Sequence, residues 1–149
     1  MKRVDELRDL SDDHHTGLVL ARRCKQAGLP DSGLSIEAVW NQVHEAFASH
    51  LEPHFQIEER HLLPALEDIG EASLAGRIRA DHGALRAFLG PAVPSRAAIG
   101  EFGALLESHI RFEERQVFEP TQDRLPPRHL EAIAAACKAI PRVCPASLE

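Results

Sequence analysis

A histidine followed four residues later by two consecutive glutamates occurs twice in this chain, at residues 54–64 (HFQIEERHLLP) and 109–118 (HIRFEERQVF). His54 matches His109 and Glu58 matches Glu113, 55 positions apart. On an α-helix, residues i and i+4 project from nearly the same face, so each copy sets an imidazole beside a carboxylate. Apolar residues at steps of three and four continue both faces: Phe47, Leu51, Leu62 and Ala65 around the first copy, and Phe102, Leu105, Leu106 and Val117 around the second. That periodicity marks the inward stripe of a helix. The chain must therefore fold as helices that carry ionisable groups into a core, and something must compensate them there.

The rest of the sequence supplies helices to surround that stripe. Ser11 reads as an N-cap with Asp12 and Asp13 in the first turn, opening a helix over 12–27 that stops at Gly28. Pro30-Asp31-Ser32-Gly33 has turn chemistry, and Ser35 caps a second helix. Pro53 lies inside that helix and removes the N–H that would bond to residue 49, which predicts a kink without termination. Pro64 predicts a second bend or a tightened last turn before Gly70. A third helix is expected over 71–89, ended by the GPAVP of 90–94, and Ser95 caps a fourth that reaches Phe118. Pro126-Pro127 introduces a short alanine-rich helix over 128–139, ended by Pro141.

Alternating β-branched runs and Asn-Gly turns are missing, so the expected class is all-α. The expected architecture is an antiparallel four-helix bundle over about 11–120 with a short extra C-terminal helix over about 126–140, in one domain of 149 residues. A formal net charge of −6 without a Lys/Arg cluster argues against nucleic acid as a partner. No run approaches the ~18 apolar residues of a membrane helix. Three cysteines, Cys24, Cys137 and Cys144, cannot all pair within the chain and suit a reducing compartment. The expectation is a cytoplasmic protein that engages neither membrane nor nucleic acid.

A looser echo, Asp13-His14 and Asp81-His82, recurs 68 positions apart. His82 and one histidine of the first helix complete a cluster of four histidines and two carboxylates. His14 shares its face with Leu10, Leu18 and Ala21, whereas His15 shares its own with Ser11, Val19 and Arg22, which favours His14. Glu59 and Glu114, about 100° round the helix from Glu58 and Glu113, are expected to face solvent, as is Arg60. His61 returns to the face of His54 within about 20° but corresponds to Gln116 in the repeat, so it reads as a rim residue and not a ligand. His50 is expected to pack, and His44 and His129 to lie on the surface. A single histidine beside a carboxylate is usually a satisfied polar contact; six such groups at core positions are costly to bury unless ions compensate them. Six donors exceed the four of a structural zinc. Imidazole with carboxylate suits two ions such as iron or manganese, with the glutamates able to bridge them.

Taken as a set, D-H…H-x-x-x-E-E…D-H…H-x-x-x-E-E resembles the pattern of the hemerythrin-like, or HHE cation-binding, proteins. The resemblance implies a four-helix bundle around a non-haem di-iron centre, two iron ions with an oxo or hydroxo bridge. By position it implies His54, Glu58, His82, His109 and Glu113 as metal ligands, and the apolar face of His14 favours it over His15 as the ligand from the first helix. Oxygen-carrying hemerythrins have a second histidine one turn after the third-helix ligand and an aspartate five residues after the fourth-helix histidine. Arg86 and Glu114 stand in those places here. The chain is thus more similar to the symmetric four-histidine, two-glutamate variety of bacterial relatives. That likeness implies binding of a diatomic ligand, oxygen or nitric oxide, for sensing, storage or stress protection. The alternatives are a di-iron enzyme or iron donor (ferrous oxidation, nitric oxide reduction, iron-centre repair) and a structural helical interaction domain.

Overall fold

The computed structural model describes residues 2–140. Helix α1 is Asp5–Ala27. Helix α2 runs unbroken over 36–68, through Ile36–Ala46, Phe47–Leu51, Glu52–Ile57, Glu58–Leu62 and Leu63–Asp68. Helix α3 is Ala72–Ala87. Helix α4 runs over 96–121, through Arg96–Phe112, Glu113–Phe118 and Glu119–Thr121. Helix α5 is Pro127–Ala139. No strand occurs among the described residues, and the fold is the all-α helical bundle that the sequence predicts. Pro141 and Cys144 lie outside the described residues. No described helix is long and apolar enough to cross a membrane.

The expected caps form: the side chains of Ser35 and Ser95 accept hydrogen bonds from the N–H groups of Ala38 and Ala98 at 3.2 and 3.1 Å. The first helix differs from expectation. It starts at Asp5, about two turns before Ser11, and has no side-chain cap. Burial of Leu7 and Leu10, both fully enclosed, holds the extra turns in place, so tertiary packing outweighs the capping signal at Ser11.

The prolines act by widening the helix. The N–H groups of Glu52, Leu63 and Glu119 reach the carbonyls of Phe47, Glu58 and Glu114, five residues back instead of four. Each of these π-turns directly precedes a proline, Pro53, Pro64 or Pro120, whose ring would clash with the carbonyl four residues earlier. Admitting one more residue per turn relieves the clash and lets the helix continue. Pro64 therefore loosens its turn and does not tighten it, and α4 passes Pro120 to end at Thr121.

Helix α1 packs along α4, the C-terminal part of α2 packs on α3, and α5 lies across α1 and the middle of α2. The α1–α4 approach is close because Gly103 has no side chain: a Cβ there would stand 2.6 Å from the carbonyl oxygen of Ala21. Two apolar clusters fill the interior. One gathers Leu20, Cys24, Trp40, Phe47, Leu51, Phe55, Phe102 and Leu106; the other gathers Leu7, Leu10, Leu62, Leu66, Ile78, Phe112, Val117 and Phe118. Between them, on the same inward stripes, lie His14, His54, Glu58, His82, His109 and Glu113, all buried. Two apolar halves thus enclose a polar layer.

Candidate metal centre

Each of the four bundle helices delivers to this layer: His14 from α1, His54 and Glu58 from α2, His82 from α3, His109 and Glu113 from α4. Both glutamates are fully buried, and the exposures of the four histidines run from 0% to 4%. His15, the competing histidine on α1, is exposed. The donor atoms sort into two groups, His14–His54–Glu58–Glu113 and Glu58–His82–His109–Glu113, in each of which all the atoms lie within 4.8 Å of one another. Both carboxylates belong to both groups. Oε1 of Glu58 is 3.2 Å from Nε2 of His54 and 3.2 Å from Nε2 of His82. Oε1 of Glu113 meets Nε2 of His109 and is 3.9 Å from Nε2 of His14.

The outer nitrogen of every imidazole meets a carboxylate. Nδ1 of His14 is 2.9 Å from Glu114, that of His54 is 3.1 Å from Asp13, that of His82 is 2.7 Å from Glu59, and that of His109 is 3.0 Å from Asp81. These partners give the repeated motifs their physical meaning. In each Asp-His pair the histidine enters the core while the aspartate orients the histidine of the His-x-x-x-Glu copy that comes next in the sequence. In each Glu-Glu pair the first enters the core and the second orients the histidine of an Asp-His pair. Glu59 and Glu114 thus do not face solvent as the helical wheel predicts; they are half-buried and hold His82 and His14. Arg60 is exposed as expected.

With its Nδ1 proton given to a carboxylate, a neutral imidazole turns the Nε2 lone pair inward, the orientation that metal-binding histidines adopt. All four Nε2 atoms and both oxygens of Glu58 and of Glu113 are buried without a hydrogen bond. So many orphaned polar atoms at one point would cost several kcal/mol if nothing filled the space between them. Two cations accepting two imidazoles and two shared carboxylates each would satisfy all of them, so the residues fit a two-ion centre. Without ions, protons take the same places. Burial opposes charge on His109, but the charge of Glu113 and hydrogen bonding with Asp81 raise its pKa to about 10. Burial likewise works against a charged His54, and Glu58 with Asp13 nevertheless holds it well above its ordinary value. Glu58 stays ionised against the cost of burial beside His54 and His82, whereas burial and the charge of Glu58 push Glu113 up.

The walls are unequal. Phe55 stacks on His82 at 3.9 Å, and Phe118 stacks on His14 at 5.5 Å. A cavity of about 10 Å³ opens beside His14, His54, His109 and Glu113 and is closed by Leu51, Phe55, Leu106 and Ile110. His61 does not join the centre. The extra residue of the Glu58–Leu62 turn breaks the seven-residue register with His54, and His61 instead lines a groove beside α5 with Pro53, Ile57 and Ile140. His50 is half-buried, His44 is exposed, and His129 pairs with Asp68 at 2.7 Å.

Fold and donor set together define a helical-bundle metal-binding domain. The sequence profile of the hemerythrin HHE cation binding domain matches residues 6–121, and the chain belongs to that family. The match begins near the observed start of α1 and ends at the last residue of α4. No curated protein and no solved structure matched the chain.

Proposed function

We propose that the chain is a non-haem di-iron protein that binds a diatomic ligand, oxygen or nitric oxide, for sensing, storage or stress protection. The observation that carries this reading is the pair of four-donor groups sharing Glu58 and Glu113 beside a small cavity. His14 and His54 would hold one ion, His82 and His109 the other, and the two glutamates would bridge them. Mixed imidazole and carboxylate donors favour iron or manganese over ions that prefer all-oxygen or thiolate sites. Iron in such a centre supplies reversible one-electron chemistry and affinity for diatomic gases. Asp13, Asp81, Glu59 and Glu114 keep each Nδ1 proton outside and each Nε2 directed inward.

The cavity sets the scale of what can enter. A space of about 10 Å³ accommodates roughly one water-sized molecule, and the side chains of Leu51, Phe55, Leu106 and Ile110 keep its far wall apolar. That suits a small gas better than an organic substrate. The test is to load the protein with ferrous iron without oxygen, admit nitric oxide or oxygen, and follow the visible spectrum and the gas concentration together. A saturable adduct that reverses when the gas is removed is the expected result. Continuous consumption of gas over many equivalents would replace binding with catalysis as the function.

A further inference from the structure

The donor set is nearly two-fold symmetric, but its outermost layer is not. Glu59, which orients His82, is held by Arg86 of α3, Nη1 at 2.8 Å. Arg86 stands one helical turn after His82 and also binds Glu52 of α2 through Nε and Nη2, at 3.0 and 2.8 Å. That clamp is built from the bundle helices themselves. Its counterpart, Glu114, which orients His14, is held by Ser11 and by Arg3. Arg3 lies before α1, in a segment belonging to no helix.

This segment is fastened to the end of α4. The buried Gln122 side chain accepts a hydrogen bond from the Val4 N–H at 2.9 Å and donates to the Lys2 carbonyl at 3.1 Å, so one amide grips the backbone on both sides of Arg3. The Arg3 guanidinium lies 5.4 Å from the centre of the Phe118 ring, the ring stacked on His14. Arg3, Phe118, Glu114 and His14 thus form a continuous column from the strap to the inward Nε2 of His14.

We infer that Arg3 is a positioning residue for one of the two metal positions, and that the Gln122-fastened strap of residues 2–4 makes the His14–His54 position separately adjustable. This rests on the two-ion reading above. Freed of Arg3, Glu114 keeps only its contacts to Ser11 and His14 and can rotate, which loosens the orientation of His14 alone. His82 and His109 keep Glu59–Arg86 and Asp81. Removing an outer partner of a metal-ligating histidine costs about 10- to 100-fold in metal affinity, and Arg3 acts one contact further out, at the lower end of that range.

The experiment uses the full chain loaded with two ferrous ions and follows their transfer to a ferrous chelator. In Arg3→Ala and Gln122→Ala one of the two ions should leave about tenfold faster than in the unaltered protein, the other at its original rate. Arg3→Lys should restore most of the difference. Arg86→Ala should speed the loss of the other ion, so that combining it with Arg3→Ala accelerates both. Equal acceleration of both ions in Arg3→Ala, or none, overturns the inference, as does acceleration matched by an equal loss in metal-free thermal stability, which marks a merely structural role. An unaltered protein that takes up fewer than two ions overturns the two-ion reading and the inference with it, an outcome visible before any variant is made.

Discussion

Gly17 offers a way to close the cavity without touching a donor atom. It sits on α1 three residues after His14, and a Cβ placed there would be 2.6 Å from Cδ1 of Ile110 and 3.7 Å from Cδ2 of Leu51, two of the side chains that close the cavity. Carbon atoms are comfortable at about 3.5–4.0 Å, so Gly17→Ala obliges the Ile110 methyl to retreat by roughly 1 Å. The open space beside it is the cavity of about 10 Å³, and a shift of that size consumes it. Replacing glycine by alanine within a helix gains about 1 kcal/mol, while overpacking costs about 1–3 kcal/mol. The net change in metal-free stability should lie between neutral and about 2 kcal/mol of destabilisation, and thermal unfolding checks it. In the iron-loaded protein the strain recurs when a ligand enters, and about 1–3 kcal/mol corresponds to roughly 5- to 150-fold weaker nitric oxide binding at 1.4 kcal/mol per decade. Titration with nitric oxide, followed by visible absorption, measures it, with iron content as the control. Unchanged affinity with full iron content would refute the cavity as the seat of the ligand.

Asp13→Asn and Asp81→Asn each weaken the carboxylate that orients His54 or His109, and each should lower iron affinity about 10- to 100-fold; competition with a ferrous chelator measures it, and a change below twofold contradicts the role. In the metal-free protein His109 keeps its proton up to about pH 10, against about 6.5 in the unfolded chain. Its contribution to stability is therefore complete below about pH 6.5 and is lost as the pH rises through 10. Iron uptake must expel that proton, so apparent affinity should rise by at least one decade per pH unit between about pH 7 and 9, and a flat profile would contradict it. Burial pushes the Cys24 thiol up to about 12. Mass spectrometry after alkylation at pH 8 should find Cys24 unmodified in the native protein and modified after denaturation; rapid native labelling would show that the core opens there.

Much of this was legible in the sequence because helical periodicity reports directly on which residues face inward. The stripes through His54–Glu58 and His109–Glu113, the preference for His14 over His15 and the Ser35 and Ser95 caps each depend only on one helix and its neighbours in the chain. The same dependence on one helix at a time misplaces Glu59 and Glu114 in solvent. A residue about 100° from the inward direction of its own helix points along the seam with the next one, where His82 or His14 waits, and a single-helix wheel contains no neighbour. The roles of Asp13 and Asp81 were hidden in the same way. His61 moved because a π-turn changes the register, a consequence of Pro64 that counting by 3.6 residues does not include. The early start of α1 reflects burial of Leu7 and Leu10 against distant parts of the chain.

The two-ion reading of Glu58 and Glu113 meets its most direct test in the iron content of the protein after anaerobic ferrous loading and removal of excess metal. Two iron ions per chain are predicted for the unaltered protein, and none retained by the Glu58→Ala, Glu113→Ala double variant. A single ion in the unaltered protein, or two undiminished in the double variant, would contradict the shared-carboxylate centre.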